Sequence, residues 1–129
     1  MHSVPTVLVV DDDARNRKLL ETLLRADGYV VVSAESGAAA IELVFRQAPD
    51  VMLLDLMMPD IDGFDVVRQL RADPACKTLP IVVVTALDDP GSNARLLAAG
   101  VDAVLPKPID RWAVKAALKR LLDPEKASS

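Results

Sequence analysis

Residues 7–13 read VLVVDDD, so four aliphatic residues in succession are followed directly by three aspartates. A run that does not alternate between apolar and polar side chains is typical of a strand buried on both faces of a parallel sheet. Four further runs rich in Val, Leu and Ile repeat this pattern. The five predicted strands are Thr6–Val10, 29–33, 51–54, 81–84 and 103–105.

The segments that follow these runs carry helical patterns. The predicted helices are Ala14–Ala26, Gly37–Gln47, about 64–71, about 92–99 and Arg111–Leu122. The predicted inward-facing residues are Leu19, Leu20, Leu23 and Leu24 in the first helix, Ile41, Val44 and Phe45 in the second, Val66, Val67 and Leu70 in the third, and Val114, Ala117, Leu118 and Leu121 in the fifth. Five alternations of strand and helix predict a doubly wound three-layer α/β domain with right-handed crossovers.

The composition narrows the class of protein. A chain of 129 residues, 51% hydrophobic and 26% charged, indicates one globular domain, with a core of about residues 5–123 and a short tail. A net charge of −4 argues against nucleic-acid binding by this domain. The longest aliphatic runs are too short to span a membrane, and the N-terminus lacks the apolar core of a signal peptide. Cys76, the only cysteine, excludes an internal disulfide and fits the reducing cytoplasm.

Polar residues that can take part in catalysis or ligand binding follow four of the five predicted strands. Asp11, Asp12 and Asp13 follow the first strand, and Asp55 follows the third. Thr85 follows the fourth, and Lys107 lies between two prolines after the fifth. Since ligands of open α/β sheets bind beyond the carboxyl ends of the strands, we expect these side chains to meet at one edge.

Each of these residues also has an ordinary structural interpretation. Asp13 is a good N-cap for the first helix, and Asp55 could begin a turn. Thr85 could cap or continue its strand, and Lys107 could be a solvated surface charge. Their joint placement on one edge is much harder to explain in that way.

A cluster of carboxylates at one edge poses an electrostatic problem, because like charges in close proximity destabilise one another. A hard divalent cation resolves it, and Mg²⁺ commonly bridges one or two carboxylates to a phosphate. The ammonium of Lys107 and the hydroxyl of Thr85 suit phosphoryl oxygens. The residue set therefore favours phosphoryl transfer with a carboxylate nucleophile, which would form an acyl phosphate.

The chain resembles the receiver domain of bacterial two-component response regulators. The segments that carry the resemblance are residues 7–13, residues 54–59 (LDLMMP) with Asp62-Gly63, residues 84–86 (VTA), and Lys107-Pro108. Their order and spacing cover nearly the whole chain. The resemblance implies a five-stranded, flavodoxin-like (βα)5 fold with strand order 2-1-3-4-5.

The resemblance also implies roles for individual residues. Asp55 would be the phosphoacceptor. Asp12 would bind Mg²⁺ directly and Asp11 mainly through water, and the other metal ligands would be Asp55 and the backbone carbonyl of Met57. Thr85 and Lys107 would bind the phosphoryl oxygens.

Three finer features also follow from the resemblance. The Lys107–Pro108 peptide bond should be cis. Met57 and Leu87 should border the path of the water that hydrolyses the acyl phosphate, and because both are apolar we expect slow dephosphorylation. The family places an aromatic residue three positions before the lysine, where it takes part in switching; in this chain that residue is Val104.

The partners implied by the resemblance are a histidine kinase or a histidine phosphotransfer protein, and a downstream output domain or effector protein. The first helix, with Arg15 and Arg17, should meet the phosphoryl donor. Trp112 either lies exposed near an output face of the last two helices or folds onto its own loop. A phosphorylation-dependent dimer is compatible with the family, and no membrane contact is expected.

Three other interpretations of the residue pattern compete with this one. A phosphatase of the haloacid-dehalogenase type would use the same nucleophile and Mg²⁺, but it needs a second Asp where Met57 stands, and a cap domain. A flavin-binding module would need a phosphate-binding loop where Asp11, Asp12 and Asp13 would repel the phosphate. A receiver used only as a scaffold would lack part of the residue set, and none is missing from this sequence.

Overall fold

The computed structural model describes residues 4–56, 63–86 and 90–122. The strands are β1 Thr6–Val10, β2 Val30–Ala34, β3 Val51–Asp55, β4 Ile81–Thr85 and β5 Ala103–Pro106. The helices are α1 Ala14–Ala26, α2 Gly37–Gln47, α3 Gly63–Ala72, α4 Pro90–Ala99 and α5 Arg111–Leu122, with a 3-10 helix at Pro74–Cys76. The strands form one parallel sheet in the order β2-β1-β3-β4-β5, which confirms the predicted fold.

Small shifts in the strand bounds change where the site residues lie. Strand β2 is displaced by one residue from its predicted position, and β3, β4 and β5 each extend by one residue beyond it. Asp55 and Thr85 are consequently the last residues of β3 and β4, still held by the sheet, rather than the first residues of loops. Their backbones are therefore more firmly placed than those of loop residues.

The core consists of two apolar layers, one on each face of the sheet. Alternate side chains of β1 point to opposite faces, as strand geometry requires. Val7 and Val9 join the layer beneath α1 and α5, whereas Leu8 and Val10 join the layer beneath α2, α3 and α4. The helix residues of the first layer are Leu20, Leu24, Val114 and Leu118, and those of the second include Ala40, Val44, Val66, Val67, Leu70 and Leu96.

Two of the predicted inward-facing residues are in fact exposed. The side chain of Leu19 is 46% exposed and that of Phe45 is 55% exposed. Leu20 and Leu24, one turn apart, are the buried residues of α1. Each misplaced residue is the immediate neighbour of a buried one, Leu20 or Val44, and one residue along a helix turns the side chain by about 100°. The apolar stripe was therefore predicted too broadly.

The start of α3 lies unusually close to the end of β3. Gly63 N–H donates a hydrogen bond to the carbonyl oxygen of Leu56 (3.1 Å). A Cβ atom at position 63 would lie 2.8 Å from the Cα atom of Leu56, which is a backbone clash. Only glycine permits this approach without a shift, and the approach fixes the residue that follows Asp55.

The other end of the sheet is tied together by Arg71. Its guanidinium donates to the carbonyl oxygens of Gly100 (3.0 Å) and Cys76 (2.8 Å) and pairs with Asp102 (3.2 Å). These contacts join α3, the 3-10 helix, α4 and the start of β5 away from the polar edge. Within the three described ranges, no helix has the length and apolar character needed to cross a bilayer.

Candidate functional site

Three aspartates meet where β1 and β3 end. In the β1–β3 register Val10 pairs with Leu54, so the residues that follow them, Asp11 and Asp55, are also neighbours. One carboxylate oxygen from each of Asp11, Asp12 and Asp55 lies within 4.8 Å of the others. Asp11 and Asp55 are buried, whereas Asp12 is exposed. The predicted acidic cluster is therefore present, with two carboxylates inside the protein and one at its rim.

The loop that carries Asp11 is held by local hydrogen bonds. Oδ1 of Asp11 accepts from the backbone N–H of Asp13 (2.9 Å), and the backbone N–H of Asp11 donates to Ala34 (3.2 Å). Asp13 caps α1, because its carboxylate accepts from the N–H of Arg15 (2.8 Å). The cap predicted at Asp13 is confirmed, which leaves Asp11 and Asp12 for the site.

Lys107 brings positive charge to the cluster. Its Nζ lies 3.4 Å from Oδ1 of Asp55 and 3.8 Å from Oδ2 of Asp11. Its backbone N–H donates to the carbonyl oxygen of Thr85 (2.9 Å), which joins the ends of β4 and β5. The Lys107–Pro108 peptide bond is cis, as predicted.

Thr85 lies at the same edge. In the β3–β4 register Asp55 pairs with Val84, and Thr85 is the next residue of the buried β4 strand. Its side chain is buried, as is that of Asp55. Of the six predicted site residues, five are thus brought to one edge; the sixth, Met57, lies outside the described residues, as does Leu87.

Arg17 contributes to the site in a way that the sequence did not reveal. Its Nη1 donates to the backbone carbonyl oxygen of Asp11 (2.7 Å) from one turn inside α1. Side chains on a helix lean toward its N-terminus, so an arginine four residues after the cap Asp13 can reach back over the loop. That spacing was the available signal, but Arg17 was interpreted only as part of a docking surface.

The residues present fit a hard divalent cation. The cluster supplies carboxylate oxygens, the ligand type that Mg²⁺ prefers, and it has an exposed member at the rim. The ammonium of Lys107, 3.4 Å from Oδ1 of Asp55, would attract an anion bound beside such a cation.

Two residues outside the cluster were also interpreted from the sequence. Trp112 is 68% exposed at the start of α5, so it does not fold onto its own loop. Cys76 is buried, and burial raises the pKa of its thiol, with Asp73 adding to the rise and Arg71 opposing it. A buried thiol of raised pKa is a poor nucleophile, in keeping with a structural role.

The fold and this edge cluster together define an α/β protein with a buried acidic site at the carboxyl edge of its parallel sheet. Comparison with known proteins identifies the family. The response regulator receiver domain family matches residues 7–119. The chain belongs to this family, and its function lies in two-component signal transduction. The hydrolase and flavin-binding interpretations are not favoured.

Individual relatives agree with this assignment. The chain is 45% identical to the response regulator PleD of Caulobacter vibrioides over 104 residues, which are 81% of this chain and 23% of PleD. It is 42% identical to the response regulator MprA of Mycobacterium leprae over 116 residues, 90% of this chain and 50% of MprA. A crystal structure of a putative response regulator from Chloroflexus aurantiacus superposes with a TM-score of 0.88 at 34% identity, covering 93% of this chain and 98% of that one. The chain thus spans half or less of the length of PleD and of MprA.

Proposed function

We propose that Asp55 accepts a phosphoryl group from a histidine kinase or histidine phosphotransfer protein in the cytoplasm, within a single receiver domain that spans this chain. The observation that carries the proposal is the position of the Asp55 carboxylate. It is buried, lies within 4.8 Å of Asp11 and Asp12, and has the Lys107 ammonium 3.4 Å away. No other carboxylate among the described residues ends a central strand in such surroundings.

Transfer requires one bond to form as another breaks. An oxygen of Asp55 attacks phosphorus while the P–N bond of the donor phosphohistidine breaks, and the bonding electrons return to the imidazole. When the other ring nitrogen of the donor carries a proton, the products are an acyl phosphate on Asp55 and a neutral histidine. Because the transition state is loose, positioning and charge neutralisation account for most of the rate enhancement.

The surrounding residues have separate tasks. Asp11, Asp12, Asp55 and the Met57 carbonyl would hold Mg²⁺, which would supply positive charge to the phosphoryl oxygens when bound. Lys107 offers a second positive charge on the side of Asp55. Thr85 offers a hydroxyl at the end of β4 that would bond a phosphoryl oxygen.

The signal would leave the site through Thr85. Movement of its hydroxyl toward the phosphoryl group would displace the end of β4. The Thr85–Lys107 backbone hydrogen bond would pass that displacement to the end of β5. Val104 lacks the aromatic ring that usually follows this movement, so the threonine would be the main moving part. An output domain or effector protein would recognise the changed conformation. The receiver domain itself would assist its own phosphorylation and dephosphorylation without turning over a separate substrate.

Intact mass measurement tests the acceptor. With acetyl phosphate and Mg²⁺, the protein should gain about 80 Da, the mass of one phosphoryl group. The gain should vanish in Asp55→Asn and in the presence of EDTA. The control is Asp73→Asn, an identical change at a cap where asparagine serves as well as aspartate. Labelling of Asp55→Asn to the same extent as the control would refute the assignment.

A further inference from the structure

The two edge strands of the sheet, β2 and β5, differ in how well they are protected against the addition of a further strand. Strand β5 has four residues, ends in Pro106 and is flanked by the charged residues Asp102 and Lys107. Proline and charged side chains at an edge are common means by which proteins prevent strand addition. Strand β2 reads VVVSA and contains neither a proline nor a charged residue. Its outer edge therefore lacks this protection.

The hydrogen bonds of β2 show which of its backbone groups face outward. Val30 donates its N–H group, and Ala34 accepts with its carbonyl oxygen, in hydrogen bonds to the chain on the β1 side (3.0 and 3.2 Å). The direction of the backbone groups alternates along a strand, so those of Val31 and Ser33 point away from β1. Within the described ranges β2 pairs with β1 alone. The outer edge of β2 therefore presents the N–H and C=O groups of two residues.

The side chains at this edge leave room for a neighbouring strand. Val30 is 49% exposed, and Ser33, which has a small side chain, is also exposed. Val32 is partly buried against the apolar layer beneath α2, α3 and α4. Because none of the five side chains of β2 carries charge, a second identical strand would meet no like charge along its length.

We propose that β2 pairs antiparallel with β2 of a second copy of this chain, so that the two five-stranded sheets become one continuous sheet about a two-fold axis. In a register centred on Val32, Val31 of each copy lies opposite Ser33 of the other, and the two residues exchange both backbone hydrogen bonds. This register satisfies every outward-facing group of the strand. The Val32 side chains meet at the axis, where a pair of β-branched residues is favourable.

Other arrangements at this edge fit less well. A register centred on Val31 or on Ser33 would place one outward-facing residue of β2 opposite a residue outside the strand. Pairing of β2 with β5 of a second copy would not close and would form a filament, and Pro106 has no N–H group to donate. An unrelated extended peptide would meet the same backbone groups, but the uncharged edge has no feature that selects its sequence. A second β2 is complementary to the edge by symmetry.

Sedimentation equilibrium of the unphosphorylated protein tests self-association. An interface of one short strand per copy is small, so the measurement extends to about 1 mM protein. The weight-average mass should rise from the monomer value of 13.9 kDa toward twice that value.

Variants locate the interface. Ser33→Pro removes an outward-facing N–H group that the β1–β2 ladder does not use, so it should raise the dissociation constant by roughly tenfold or more. Ser33→Ala keeps that N–H group and should leave the dissociation constant unchanged. Leu97→Lys changes an exposed apolar residue of α4, away from β2, and should also leave it unchanged.

Cysteine cross-linking tests the register. Val32→Cys places the two new thiols at the axis, in a pair whose Cα atoms are about 4.5 Å apart, within the range that a disulfide spans. Val30→Cys is the control, because it is more exposed but its two copies would lie about 14 Å apart, four residues along the strand. Cys76 is buried, and the parent protein measures its background. Under mild oxidation Val32→Cys should form a covalent dimer much faster than Val30→Cys.

Three results would each overturn the proposal. They are a protein that stays monomeric at about 1 mM, loss of association in Leu97→Lys rather than in Ser33→Pro, and cross-linking of Val30→Cys as fast as that of Val32→Cys. Circular dichroism checks that Ser33→Pro folds, and the cysteine variants decide the question if it does not. Because the protein is unphosphorylated throughout, these outcomes are independent of Asp55 as phosphoacceptor.

Discussion

Replacement of Asp55 by asparagine should make the protein more stable in the absence of Mg²⁺. Asp55 is buried with two carboxylates within 4.8 Å and one ammonium at 3.4 Å. At an effective dielectric constant of about 20, each carboxylate would repel Asp55 by about 3.5 kcal/mol and Lys107 would attract it by about 5 kcal/mol. The balance is about 2 kcal/mol against the charge on Asp55, before its desolvation is considered.

Asparagine has nearly the same shape, so it removes the charge without leaving a cavity. We therefore expect Asp55→Asn to raise the free energy of unfolding by about 2 kcal/mol in EDTA. Mg²⁺ at ten times its dissociation constant should stabilise the parent by about 1.4 kcal/mol through mass action, and should stabilise the variant less because one ligand is weakened. The two curves should therefore approach one another as Mg²⁺ is added.

Urea denaturation in EDTA and in Mg²⁺ measures both effects. Asp13→Asn is the control, since it is the same substitution next to the cluster, at a cap position where asparagine is equally suitable. Its stability should change little in either buffer. If Asp55→Asn were less stable than the parent in EDTA, the repulsion would not outweigh the Lys107 ion pair, and the electrostatic reasoning would be wrong.

Three further predictions concern residues around the site. Arg17→Ala should weaken Mg²⁺ binding, measured by calorimetry, about tenfold, because the Asp11 carbonyl loses a charged hydrogen-bond donor. Arg17→Lys should restore part of the lost affinity. Equal Mg²⁺ affinity in the parent and both variants would contradict this prediction. Gly63→Ala should lower the free energy of unfolding by about 1–3 kcal/mol in urea, because the new Cβ meets backbone, and a loss below about 0.5 kcal/mol would show that the backbone yields easily. Met57→Asn with Leu87→Glu should speed the decay of phosphorylated protein after the donor is removed, and an unchanged decay would mean that water access there does not set the lifetime.

The sequence revealed those features that depend on backbone order. Once the run ending at Val10 is recognised as a strand, its register with β3 follows from the fold, and Asp11 must lie near Asp55. Features that depend on the direction of a side chain were harder to predict from the sequence. Phe45 was placed in the core because it is apolar and next to Val44, although it lies 55% exposed. Likewise, the hydrogen bond from Arg17 to Asp11 depends on the path of a long side chain, which the four-residue spacing from the cap Asp13 permits but does not fix.

The site and the exposed face of α5 are close along the chain, which bears on how one could influence the other. The backbone of Lys107 is hydrogen-bonded to Thr85, and only the short segment 108–110 separates Lys107 from α5. Asp110 caps that helix by accepting from the N–H of Trp112 (2.9 Å), so the start of α5 is tied to the connecting segment. A displacement of Thr85 would thus have a short path to Trp112, made of the Thr85–Lys107 backbone hydrogen bond, segment 108–110 and the side-chain cap of Asp110, without the ring that Val104 lacks.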